Sequence, residues 1–252
     1  MLCCCLSGKD LHCGRDIEGK QEGLVDYIAV YAAPTDQILG LHDPVLRVSP
    51  QTPVEVRDTY TRGIAIHEVS NICTLIQQGN HRIMEVLFSD REGDYNSDVW
   101  LSLKNQRDNF ITQVVTNHYQ GVGRGQLVAA VSKEKKTGLM KKQLHHVTVS
   151  ADDILETPEN RNRLYHALRL LSSGARIVSE HTIPTSFTGE QGKLIQGVMD
   201  GTTSIHEAVE LANSLCKQVE DLKSQLDDVP RRIEDRYATQ LEKWLIHVRA
   251  SR

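Results

Sequence analysis

The sequence predicts an α+β protein, a small α/β part followed by an all-helical part. Three observations predict this. Val25 to Ala32 is a short run of β-formers closed by Pro34, which suits a buried strand. From Glu68 onward the apolar positions Val69, Ile72, Cys73 and Ile76 recur at steps of three and four, the period of a helix. Beyond Val99 every periodic segment is helical, and the polar run Asp90 to Asp98 before it reads as a linker. The division expected is therefore residues 1–98 and 99–252.

Taken in order, Leu2 to Leu6 is a buried strand in which Cys3, Cys4 and Cys5 serve as small hydrophobes. The alternative is acylation of an exposed cysteine run, which alone anchors weakly to a membrane. Asp36 to Asp43 is a turn or short helix, and Pro44, Pro50 and Pro53 then keep the chain irregular. Ile64 to Ile66 is a strand, the helix from Glu68 ends at Gly79, and a second helix carries Ile83, Met84 and Leu87. In the second part, Leu101 to His118 and Gln126 to Lys136 are expected helices separated by Gly121-Val122-Gly123-Arg124-Gly125. Leu164, Leu168, Leu171, Ala175 and Val178 stripe a further helix within 161–180. Ser204 and Glu207 have capping-box spacing. Behind them, Ala208, Leu211, Leu215, Val219, Leu222 and Leu226 suit an intramolecular bundle seam. A short helix with Trp244 closes the chain.

The 252 residues carry a net charge of −4, so no global basic field advertises nucleic acid. No run of eighteen apolar residues is present, and Met1 to Leu6 lacks the features of a signal peptide. The expectation is a soluble, cytoplasmic protein without membrane partners. The six cysteines show no C-x-x-C spacing, which argues against a disulfide framework or a zinc site.

Transfer of a nucleotidyl group uses paired carboxylates to hold two Mg²⁺ ions, and Asp-x-Asp on a strand supplies them because residues two apart face one side. The turn-like run Ser7-Gly8-Lys9-Asp10-Leu11-His12, the acidic strand start Val25-Asp26-Tyr27, and His67-Glu68-Val69 with Gln78-Gly79-Asn80 farther on together resemble the predicted nucleotidyltransferase family of the DNA polymerase β-like superfamily, some members of which are associated with RNA repair. Ser7-Gly8-Lys9-Asp10-Leu11-His12 resembles its Ser-Gly-Ser-x-Leu-His turn, and Val25-Asp26-Tyr27-Ile28-Ala29-Val30-Tyr31 resembles its acidic strand. The segment Ala33 to Leu41 is similar to the one that follows in the family. His67-Glu68-Val69, Gln78-Gly79-Asn80 and Met84 to Phe88 resemble its Tyr-Glu-Leu helix, Gly-Asn-Pro turn and Leu-Glu segment. Tyr165 to Leu171 resembles its His-x-x-Arg-Leu-Leu stretch, and Gly201 to Leu215 the helix after it, so the likeness spans nearly the whole chain.

The resemblance implies a small mixed β-sheet, a nucleoside triphosphate as substrate, Mg²⁺ as cofactor and a hydroxyl group as acceptor. It places Gly8 and Lys9 at the phosphates and makes Asp26 both metal ligand and catalytic carboxylate. The departures are specific. The first Asp of the pair falls on Leu24, the Ser of Gly-Ser on Lys9, and the third carboxylate near Gly63 or Ile64. Glu18 or Glu22 would have to be held in strand-like geometry to fill the gap. Lys9 can contact a phosphate directly, which favours binding without turnover.

Other residues have competing readings. Asp26 is either a metal ligand or a strand-end acid bonded to a turn. Helix capping explains Glu68 as well as catalysis does. His145 and His146 are adjacent, so their side chains diverge and make a poor metal site. His166 and Arg169 share a helix and could meet phosphate, although an interhelical polar contact is the commoner role. The run Lys133 to Lys142 holds five lysines and one glutamate with no aromatic residue interleaved, so it reads as a solvated loop. RNA binding through Lys135, Lys136, Lys141 and Lys142 is the weaker alternative. The sequence thus gives a nucleotidyltransferase-like protein with weakened or lost transfer. Its alternative is a non-catalytic nucleotide- or protein-binding scaffold.

Overall fold

The computed structural model describes residues 1–7, 25–39, 46–48, 55–56, 59–91, 94–131, 148–223, 226 and 229–251. The described elements are β1 (Cys3–Leu6), β2 (Val25–Tyr31), α1 (Thr35–Leu39), β3 (Arg47–Val48), β4 (Glu55–Val56), β5 (Thr59–Glu68), α2 (Val69–Gln77), α3 (His81–Phe88), β6 (Tyr95–Asn96) and α4 (Asp98–Lys104). After these come α5 (Gln113–Ala130), α6 (Pro158–Glu180), α7 (Gly189–Asp200), α8 (Ile205–Lys223) and α9 (Asp235–Ala250), with 3-10 turns at Arg107–Phe110 and Ala151–Asp153. The architecture is α+β, with a mixed sheet first and helices after it.

The sheet runs β3-β5-β2-β1-β6, and β4 forms a hairpin with β5. Among the described strands, only β2 and β5 are parallel; β1 is antiparallel to β2 and to β6, and β3 to β5. Strand β5 is longer than the Ile64 to Ile66 expected, because β2, β3 and β4 all pair with parts of it. The cysteines of β1 are buried, Cys3 at 0% and Cys5 at 1% exposure, which is the small-hydrophobe reading of that run. Burial pushes the Cys3 thiol well above its ordinary range.

Helix α2 begins as the sequence indicates, with Glu68 capping Ser70 N–H, and it ends in a Schellman turn. Gly79, at φ 64°, donates to the Ile76 carbonyl while Asn80 donates to Leu75. Asn80 then caps α3. The run 90–98, expected as a linker, instead contains β6, which pairs with Cys3 and Cys4 at the sheet edge.

Two expected helix boundaries differ. The Leu101 to His118 segment is interrupted: α4 ends at Lys104, and Phe110 and Ile111 turn inward before α5 begins. Conversely, α5 continues through Gly121-Val122-Gly123-Arg124-Gly125, where a break was expected. The cost of three glycines, about 1 kcal/mol each against alanine, is offset by packing. A Cβ on Gly123 would stand 3.0 Å from Leu171 Cγ, so glycine lets α5 approach α6 closely. The Lys136 end of the expected second helix lies outside the described residues.

The chain forms two compact units, Met1–Thr112 with Arg231–Arg252, and Gln113–Pro230. In the first unit, Trp100 of α4 packs edge-on against Trp244 of α9, and Trp244 Nε1 donates to the Val99 carbonyl at 2.9 Å. In the second, the stripe of α8 buries Ala208, Leu215 and Val219 as a bundle seam. The Ser204–Glu207 capping box forms in both directions. Among the described residues, no helix is long and apolar enough to cross a membrane.

Candidate functional site

The site follows from the register of three neighbouring strands. Leu6 of β1 pairs with Tyr27 of β2, so the next positions outward are Ser7 and Asp26. On the other side of β2, Asp26 pairs with Gly63 and Tyr27 with Ile64. Ser7, Asp26 and Gly63 therefore lie side by side at one level of the sheet, neighbouring strands being about 4.8 Å apart. Val25 pairs with Thr61, so a register shift, with Arg62 as the extra residue, falls beside Asp26. Such bulges re-aim the chain and recur next to functional sites.

The position facing Asp26 is thus a glycine, and the next is an isoleucine. Neither supplies an oxygen ligand from its side chain. The nearest acid farther along β5 is Glu68, which pairs with Tyr31, five residues and about 16 Å beyond Asp26. Its carboxylate is also committed elsewhere. Glu68 is fully buried; it accepts from Ser70 N–H at 2.7 Å and Ala33 N–H at 3.2 Å, and pairs with Arg249 Nη1 at 2.7 Å. Burial alone would raise its pKa, but Arg249, Ser70 and Ala33 outweigh burial and hold the carboxyl below the ordinary glutamate range. Capping and ion pairing account for Glu68 completely.

Among the described strand positions at this level, Gly63 and Ile64 bring no side-chain oxygen beside Asp26. Two cations held close together need bridging and flanking carboxylates, and at the positions that the family resemblance indicates the sequence has Leu24, Asp26, Gly63 and Ile64. Among the described residues, no group of three His, Cys, Asp or Glu side chains could hold a metal ion. Gly8, Lys9, Leu24, Glu18 and Glu22 lie outside the described residues, as do His145, His146 and the lysine run. Of Asp26 only the backbone register is described.

One residue missed from the sequence does reach this level. Arg82, in the first turn of α3, donates from Nη2 to Ser7 Oγ at 3.3 Å, and Ser7 is 1% exposed. Seventy-five positions separate the two. The available signal was a cation in the first turn of a helix, where the dipole disfavours positive charge. In the second unit, Arg169 is buried on α6 and His166 meets the Tyr165 ring edge-on, with centroids 5.3 Å apart.

A family model for the RNA repair pathway DNA polymerase beta family matches residues 22–246. That span takes in Leu24, Asp26 and Gly63 but begins after the Ser7 to His12 turn. No curated protein and no solved structure matches.

Proposed function

The chain belongs to the RNA repair pathway DNA polymerase beta family, and from that premise we propose that it is a nucleotidyltransferase-like protein that binds a nucleoside triphosphate with transfer weakened to the point of loss. Residues 1–98 carry the nucleotide end in this reading, and 99–252 the helical part. The phosphates lie against Gly8 and Lys9, which follow β1 in the sequence, and Asp26 is the one acidic group on β2.

The observation that supports it is the pairing of Asp26 with Gly63. Removing even a supporting partner of a metal ligand commonly costs about 10–100-fold. Here two ligand positions are themselves occupied by residues without oxygen-bearing side chains. A cationic Lys9 retains attraction for phosphate while adding nothing to chemistry on it.

The test pairs binding with transfer. Calorimetry with each of the four nucleoside triphosphates should show binding by the full chain. Labelled-nucleotide transfer to an RNA hydroxyl in Mg²⁺ should stay at the level of Asp26→Ala. Transfer that exceeds that level identifies a working enzyme instead. Failure to bind any nucleoside triphosphate favours the scaffold reading.

A further inference from the structure

The role of small hydrophobe accounts for only one cysteine of the run Cys3-Cys4-Cys5. Successive residues of a strand point to opposite faces, so Cys4 stands on one face of the sheet and Cys3 and Cys5 on the other. Cys4 packs with Ala29 and Ile64, an apolar setting in which a thiol serves as bulk. On the opposite face the thiols meet polar partners. Cys3 and Cys5 are hydrogen-bonded to each other, and Cys5 Sγ donates to Asn96 Oδ1 at 3.6 Å. Asn96 is also the residue that pairs with Cys3 across the β1–β6 ladder. Two buried sulfurs and one amide are thus gathered beside β6, the last strand in the described order.

Positions two apart along a strand are about 6.6 Å from each other at the backbone, and sulfurs that hydrogen-bond across that distance lean together. Such a pair suits one soft cation held between them. Structural zinc asks for four ligands, and calcium and magnesium ask for oxygens. Soft thiolates select Cu(I), which two sulfurs satisfy. Burial raises the Cys3 thiol, so only a cation with high thiolate affinity displaces its proton.

We propose that Cys3 and Cys5 form a binding site for one Cu(I) ion, with Asn96 at its rim. Both thiols give up their protons to solvent as the two S–Cu bonds form, which leaves one negative charge on the complex. Turning the Asn96 amide brings its N–H to sulfur, so the group that accepts from the Cys5 thiol donates to its thiolate. Entry is through β6, two residues long, whose short ladder opens more readily than the seven-residue β2 paired with β5. The site uses residues outside the nucleotide reading and stands without it.

Anaerobic titration of the reduced full chain with Cu(I) against the chelator bathocuproine disulfonate tests this. One Cu(I) per chain should be retained. Cys3→Ala and Cys5→Ala should each weaken retention about a hundredfold or more, beyond the cost of losing a supporting contact, whereas Asn96→Ala should weaken it about tenfold. Cys4→Ala, on the other face, should leave retention unchanged, and thermal melts identify any variant that fails to fold. X-ray absorption at the copper edge of the unaltered chain needs no variant, and two sulfur neighbours are expected. Three or more sulfurs, undiminished retention in folded Cys3→Ala or Cys5→Ala, equal loss in Cys4→Ala, or no retained Cu(I) each overturn the site.

Discussion

Glu68 shows how far a single side chain is defined by residues remote in sequence. Its carboxylate is fully buried between Ser70, Ala33 and Arg249, the last of these from the closing helix. Arg249 Nη1 also donates to the Ala33 carbonyl at 3.1 Å. Truncating one partner of a buried pair leaves an uncompensated charge, so Arg249→Met should destabilise the protein by about 3–5 kcal/mol in urea melts. Since the folded pKa of Glu68 is depressed, its contribution is fully present above the ordinary glutamate range and is lost as pH falls through the lower folded value. Glu68→Gln should therefore flatten the acid limb of the stability curve, and an unchanged limb would assign acid sensitivity to other groups. The neighbouring Cys73 thiol is pushed up to about 12, by burial first and by the Glu68 charge second. It is not a thiolate at neutral pH.

At the scale of elements, glycines sort by what surrounds them. Gly121 of α5 has nothing within 4 Å of the place a Cβ would occupy, whereas on Gly192 of α7 a Cβ would stand 2.5 Å from the Phe187 carbonyl oxygen. Gly121→Ala should stabilise by about 0.5–1 kcal/mol through helix propensity. Gly192→Ala should destabilise by about 1–3 kcal/mol, because backbone must shift to make room. Equal effects on melting temperature would show that α7 yields more readily than its packing indicates. Propensity alone marked the Gly121 to Gly125 run as a break. The helix persists there because Val115, Tyr119, Leu127 and Val128 bury one face of α5.

At the scale of the molecule, the first compact unit is discontinuous in sequence: α9 returns to the part that contains the sheet. Leu241, Trp244 and Val248 are buried in it, and Trp244 meets Trp100 at 6.4 Å between ring centroids. A chain ending at Pro230 loses the Glu68 pair, about 3–5 kcal/mol, and the Trp244 packing, of similar size. Together these approach the whole stability of an ordinary domain, about 5–15 kcal/mol. The expected outcome is loss of the near-ultraviolet signal of Trp100, restored when residues 231–252 are supplied as a separate peptide. A retained signal without the peptide would show that the sheet and α2 to α4 stand by themselves.

The sequence by itself determined whatever depends on neighbours along the chain: the β2 strand, the Glu68 cap, the Gly79 turn, the Ser204–Glu207 box and the stripes of α6 and α8. It also located Leu24 and Asp26, and put the third carboxylate position near Gly63 or Ile64, through family resemblance alone. Tertiary structure decided what depends on contacts between distant segments. It set the Asp26–Gly63 register, brought Arg82 to Ser7, paired Glu68 with Arg249, and turned an expected linker into β6. The physical reason is range: caps, turns and periodicity are set within a few residues, whereas ion pairs and sheet register arise only when separate segments are buried against one another.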